Sequence, residues 1–201
     1  MTIKMNNTQA LIEEMKDYGI NNNVPIMSTQ TIDTINKIIT DNNITSILEI
    51  GTAIGYSTIC FANNPSIKKI TSIERDNDRY NIAVSNVKKS GLSNIDLLHD
   101  DALNVSITDK YDLVIIDAAK SQNMKFFNKY KENLNDNGII IIDNLSFHGY
   151  VGNSSNIKSR NLRQMVRKIE KFIDFLDNQE EYDVKYIEVG DRLGVCKKRN
   201  S

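Results

Sequence analysis

Two of the apolar runs in this sequence end in side chains that can bind a metal. Ile115-Ile116 leads into Asp117, and Ile141-Ile142 leads into Asp143 and Asn144. Both runs read as buried strands, and if the strands are neighbours the three polar side chains converge at one sheet end. Carboxylate and amide oxygens are hard ligands, suited to Mg2+ or Ca2+ and not to zinc. Three protein ligands leave positions for water and for the oxygens of a second molecule, which favours Mg2+. The competing reading is structural, since Asp caps helices and Asp-Asn is ordinary turn chemistry. Lys120 follows Asp117 by three residues. Near a dication its ammonium is expected to give up its proton more readily, as a general base must.

A second group of residues could hold a nucleoside. The run from Ile47 to Ser57 passes from a strand through Gly51 and Gly55 into a helix. Those glycines let backbone approach a ligand closely, and the following helix start offers unpaired N–H donors. The spacing is G-x-x-x-G and not the dinucleotide G-x-G-x-x-G, which argues against NAD. Glu74 ends the next strand, where a carboxylate can accept from both hydroxyls of a ribose. Asp100, Asp101 and Ala102 follow the third strand at the same edge, and Asp101 could accept from an adenine amino group.

The elements that must position these residues alternate. Strands are predicted at 46–50, 69–74, 94–98, 112–117 and 138–143, with helices at 29–41, 56–63, 77–90 and 122–134. Asp76 or Asn77 would cap the third of these helices and Gly91 would stop it. This is the pattern of βαβ units on a parallel sheet. A long amphipathic helix at 157–177 then leads to strands at 183–189 and 193–197, joined closely enough for an antiparallel hairpin. The chain has 201 residues, two Pro and nine Gly, and no repeat or linker, so a single domain is expected over 1–201, with 1–28 as an N-terminal helical or loop extension. Net charge is −1, so contact with nucleic acid would need a local basic surface. No signal peptide is evident, the longest apolar run is far too short to span a bilayer, and Cys60 and Cys196 fit no metal or redox motif. They read as reduced core thiols of a cytoplasmic protein.

Leu48-Glu49-Ile50-Gly51-Thr52, Gly55-Tyr56-Ser57, Ile73-Glu74, Asp117-Ala118-Ala119-Lys120 and Asp143-Asn144 together resemble the cation-dependent O-methyltransferases of the catechol and caffeoyl-CoA type. The resemblance implies a Rossmann-like class I methyltransferase fold, α/β, with a seven-stranded mostly parallel sheet, an antiparallel C-terminal hairpin and helices on both faces. It implies S-adenosylmethionine as methyl donor and Mg2+ as cofactor. It implies cofactor contacts at Met27, Glu49, Gly51, Tyr56, Ser57, Glu74, Asp101, Ala102 and Asp117. It implies Mg2+ on Asp117, Asp143 and Asn144, with Lys120 and Asp117 catalytic. Val24-Pro25-Ile26-Met27 and the basic helix before Val189-Gly190-Asp191 are similar to the branch of the family that methylates wobble 5-hydroxyuridine in tRNA. That branch implies a tRNA anticodon stem-loop as substrate, 5-methoxyuridine as product, and a homodimer. Arg192 stands where the family has a glycine, and Asp100 where it often has another.

Vicinal oxygens suit such a site, because one cation can hold both while the acceptor oxygen is aligned for in-line displacement. A catechol offers them, and so does 5-hydroxyuridine, so the site alone does not choose between them. The basic residues lean toward RNA: Arg160, Arg163, Arg167 and Lys171 share one face of the predicted helix, opposite Leu162, Val166, Ile169, Ile173 and Leu176. Arg192 could add charge nearby. Phe147, His148 and Tyr150 could wall the acceptor pocket or stack on a base. The alternatives are a methyltransferase for small catechol-like molecules and a non-catalytic protein that binds S-adenosylmethionine and RNA.

Overall fold

The computed structural model describes residues 7–153 and 157–199. The first six residues of the predicted N-terminal extension lie outside them. Seven strands form one sheet in the order β3-β2-β1-β4-β5-β7-β6. In chain order they are β1 (Ser46–Ile50), β2 (Lys69–Glu74), β3 (Ile95–His99), β4 (Tyr111–Ile116), β5 (Leu134–Ile142), β6 (Tyr182–Ile187) and β7 (Leu193–Lys198). The pairings β1–β2, β2–β3 and β4–β5 are parallel, while β7 runs antiparallel to both β5 and β6. This is the expected architecture. The chain divides between Val105 and Ser106 into two compact units.

The first unit carries β1 to β3 and four helices, α1 (Asn7–Asn21), α2 (Thr29–Asp41), α3 (Tyr56–Ala62) and α4 (Asn77–Ser90). Ile47, Leu48, Ile50, Ile70 and Ile73 are buried, as β-branched and apolar strands covered on both faces must be. Ser28 caps α2 by accepting from the amide of Thr31. Asp76 caps α4 by accepting from Asp78 and Arg79, and Gly91 ends it in the left-handed conformation. Half of the predicted extension is therefore helix α1, anchored on α4 where Thr8 Oγ1 donates to Ser90 O.

The second unit carries β4 to β7, α5 (Asn123–Tyr130) and α6 (Arg160–Asn178). The helix predicted at 122–134 is broken. It begins and ends in 3-10 turns, Lys120–Gln122 and Lys131–Asn133, and Leu134 already belongs to β5, opposite Tyr111. The polar stretch Asn135-Asp136-Asn137 hid that early start, because the β4–β5 register shifts between Tyr111 and Leu113. The apolar face of α6 is also rotated from the predicted stripe. Val166, Ile169, Phe172 and Leu176 are buried, with Phe172 against Phe127, whereas Leu162 and Ile173 are half-exposed.

Candidate active site

In the first unit the turn after β1 is built from backbone. Gly51 (φ 105°) and Gly55 (φ 84°) take conformations that favour glycine, and Ala53 between them is also left-handed (φ 48°). A Cβ on Gly55 would stand 3.4 Å from Ala83 Cβ, so the turn also packs closely against α4. Gly51 N donates to Ile73 O at 3.0 Å, which ties the turn to the end of β2.

Glu74 completes that tie. Its Oε2 accepts from Ala53 N at 2.8 Å, and its Oε1 accepts from Arg75 N at 3.0 Å and Asp76 N at 2.9 Å. One carboxylate thus fixes the glycine turn and the start of the next segment together. Its remaining lone pairs are what a ribose could use. Asp100 N donates to Glu74 O, which seats the loop after β3 beside it. Asp101 lies in that loop. Its Oδ1 accepts from Leu103 N at 2.8 Å, and its Oδ2 lies 3.8 Å from Arg75 Nη1. Ala102 is buried next to it.

Two other predicted contacts face inward. Glu49 is 1 % exposed. It accepts from Ser57 Oγ at 2.6 Å, from Ser72 Oγ at 2.6 Å and from Thr58 Oγ1. The hydroxyls of Ser57 and Glu49's other partners therefore satisfy a buried charge that would otherwise be costly. The sequence marks Glu49 and Ser57 as cofactor contacts; in the structure their side chains meet each other and brace β1, β2 and α3. Met27 and Tyr56 are buried in the same unit. Burial, and then Cys60, raises the Tyr56 phenol above its ordinary range, against a hydrogen bond with Thr29.

In the second unit β4 and β5 lie in register, Ile116 beside Ile142, so Asp117 and Asp143 follow at adjacent strand ends. Asp143 N donates to Ile116 O at 3.1 Å. The Asp143 side chain is buried, and its carboxyl is pushed up to about 6, first by burial and then by the negative charge of Asp117. Lys120 and hydrogen bonds from Asn144 oppose that rise. Lys120 Nζ lies 2.5 Å from Asp117 Oδ1, and Asn144 N donates to Asp143 Oδ1 at 2.7 Å. Asn144 is left-handed (φ 65°), a conformation asparagine tolerates. Predicted Asp117, Lys120, Asp143 and Asn144 are thus brought together. Two carboxylates held close against their own repulsion, beside an amide and one ammonium, are a hard donor set that fits a divalent cation.

The proposed RNA contacts divide. Arg160, Arg167 and Lys171 are exposed on α6 and make no ion pair among the described residues. Arg163 does not belong with them: its Nε and Nη2 both donate to Ile157 O, at 3.1 and 2.8 Å, and hold the segment leading into α6. Arg192 is engaged too. Its Nε lies 3.0 Å from Glu188 Oε1 and its guanidinium sits 4.5 Å over the Tyr186 ring. Those contacts hold Arg192 in the left-handed conformation (φ 66°) that a glycine would adopt freely. Sequence reasoning assigned no role to Asp191, whose carboxylate accepts from His148 N in the loop after Asn144. The only signal was its place in the hairpin turn.

The O-methyltransferase family matches residues 3–199. The chain belongs to that family. The crystal structure of a "putative caffeoyl-CoA O-methyltransferase" from Staphylococcus aureus is similar to this O-methyltransferase, with 35 % identity, TM-score 0.89, and coverage of 94 % of this chain and 92 % of that one. A caffeoyl-CoA O-methyltransferase of Stellaria longipes is 25 % identical over 161 residues, which cover 75 % of this chain and 67 % of that protein. An O-methyltransferase from Bacillus cereus, solved with S-adenosylhomocysteine, shares the fold at TM-score 0.81 and 21 % identity, covering 98 % of this chain and 94 % of that one. This O-methyltransferase is S-adenosylmethionine-dependent. No helix among the described residues is long and apolar enough to cross a membrane.

Proposed function

We propose that the protein methylates one of two adjacent oxygens on a small catechol-like acceptor, with Mg2+ held by Asp117, Asp143 and Asn144. The observation that carries this reading is the oxygen donor set at the ends of β4 and β5, with Lys120 2.5 Å from Asp117. S-adenosylmethionine supplies the methyl group as an electrophilic sulfonium carbon. A dication at these ligands would act as a Lewis acid that stabilises an acceptor oxyanion. The chain's own residues do the rest. Lys120 stands where it can take the hydroxyl proton on Nζ once that nitrogen is free of its own. Glu74 and the glycine turn bind and orient the nucleoside end of the donor. Similarity to caffeoyl-CoA O-methyltransferases supports the small acceptor over the tRNA expected from the sequence.

The test is methyl transfer from labelled S-adenosylmethionine to catechol, 3,4-dihydroxybenzoate and caffeoyl-CoA, before and after EDTA. We expect turnover on at least one diol, lost with EDTA and restored by Mg2+. Turnover indifferent to EDTA would remove the cation from the reaction.

One observation favours the second reading, methylation of 5-hydroxyuridine in tRNA: the exposed basic face of α6. Replacing Arg160, Arg167 and Lys171 together with alanine separates the two. A small-molecule enzyme should keep kcat/KM within about twofold, because exposed, solvent-screened charges contribute little. An RNA enzyme should lose roughly tenfold or more and show a shallower salt dependence.

A further inference from the structure

The loop that continues from Asp143 and Asn144 holds an unusual backbone. Phe147 (φ 47°), His148 (φ 56°) and Gly149 (φ 76°) are left-handed in succession. For phenylalanine and histidine that conformation is unfavourable and persists only where neighbours impose it. The turn between β6 and β7 does so. Leu145 N donates to Arg192 O at 3.0 Å, and Ser146 N donates to Asp191 O at 3.0 Å. His148 N then donates to both oxygens of the Asp191 carboxylate, at 2.8 and 2.9 Å. Below, Leu145 is fully buried against Gly194, where a Cβ would come within 2.7 Å of Leu145 Cδ1. The backbone bonds and the Leu145 contact fix the root of the loop. At its strained middle the Asp191 carboxylate acts from outside the loop, beside two bonds made within it: Ser146 Oγ accepts from Gly149 N at 3.2 Å and Asn153 Nδ2 donates to Gly149 O at 3.1 Å.

We propose that Asp191 is a positioning residue: through the amide of His148 it fixes the loop that follows Asp143 and Asn144, and so sets where an acceptor meets them. The role rests on the proposal that those two residues hold the acceptor's cation. A carboxylate suits it because a charge-assisted bond to a backbone amide is stronger than a neutral one. Phe147 and Tyr150 are carried on the same loop, with ring centroids 6.4 Å apart, so holding His148 N also holds the aromatic side chains nearest the two ligands in sequence.

The test compares Asp191→Ala and Asp191→Asn with wild type in two independent measurements. The first is amide hydrogen exchange at His148 in the protein alone. It should quicken by roughly 10- to 100-fold in Asp191→Ala and less in Asp191→Asn, which keeps one acceptor oxygen. The second is steady-state kinetics with 3,4-dihydroxybenzoate and Mg2+. Acceptor kcat/KM should fall by about the same factor, while S-adenosylhomocysteine affinity, measured by calorimetry, stays within about twofold. Adding His148→Gly to Asp191→Ala should recover part of the loss, because glycine adopts φ near 56° without strain. Unchanged exchange at His148 would overturn the proposal, and so would unchanged kinetics or an equal loss of S-adenosylhomocysteine affinity. If wild type methylates no diol, the small-acceptor reading fails, while the exchange measurement still decides whether Asp191 holds the loop.

Discussion

Asp143→Asn should abolish turnover and at the same time stabilise the metal-free protein. The first effect follows from the proposed ligand set. Losing a ligand that supports several kcal/mol of transition-state stabilisation should lower kcat/KM by roughly 10^3-fold or more. The second follows from burial. Asp143 is 3 % exposed. Its carboxyl titrates near 6 in the fold against 3.8 for a free aspartate. A carboxylate raised on folding stabilises the fold while protonated. That contribution is full below about pH 4 and is lost as pH rises through about 6. Above that range the wild type holds an unfavourable charge that asparagine lacks. The asparagine side chain still offers an oxygen to the amide of Asn144. At pH 7.5 with EDTA the variant should be more stable by roughly 1–3 kcal/mol, or about 5 °C in melting temperature. Wild-type melting should fall between pH 4 and 6 with a slope that the variant does not share. Scanning calorimetry decides it. A variant that melts below wild type would mean that Asp143 is held in place by interactions its charge requires.

Glu74→Ala should weaken donor binding more than any other change in the first unit. In the fold its carboxylate satisfies three backbone amides, those of Ala53, Arg75 and Asp76. Alanine would remove the side-chain tie to Ala53 N, leaving the turn only its backbone bonds to Ile73 O, and would also remove the acceptor for the ribose hydroxyls. Two charge-assisted bonds at about 1.5 kcal/mol each correspond to roughly 100-fold in affinity, before any loss of turn geometry. Calorimetry with S-adenosylhomocysteine should therefore show at least that loss. Glu74→Gln, which keeps one oxygen, should fall between. Affinity within threefold of wild type for the alanine variant would exclude Glu74 from the donor site.

Much of this was legible in the sequence because it is local. The apolar runs ending in Asp117 and Asp143 are short and bounded, and their neighbourhood follows from the regular βα alternation. Gly51, Gly55 and Glu74 are recognisable because a close turn and a strand-end carboxylate need those residue types. Long-range partnerships were not legible. Nothing in the spacing of Arg163 marks it as a clamp on Ile157 rather than a free cation on a basic face. Nothing in Gly190-Asp191-Arg192 points to a loop more than 40 residues earlier. Nor does the spacing show how Glu49 is held. It sits inside the motif, yet its partners Ser57, Thr58 and Ser72 show a buried charge satisfied by hydroxyls. The early start of β5 was hidden because Asn135, Asp136 and Asn137 near its beginning are polar.

The two cysteines take on meaning beside a sulfonium donor. Burial pushes both Cys60 and Cys196 up to about 12. A thiol of that pKa is thiolate in roughly one molecule in 10^5 at pH 7, and only the thiolate attacks an electrophilic carbon. Cys60 sits in α3, immediately after the glycine turn. Kept protonated, it has almost no nucleophilic form to offer an electrophile.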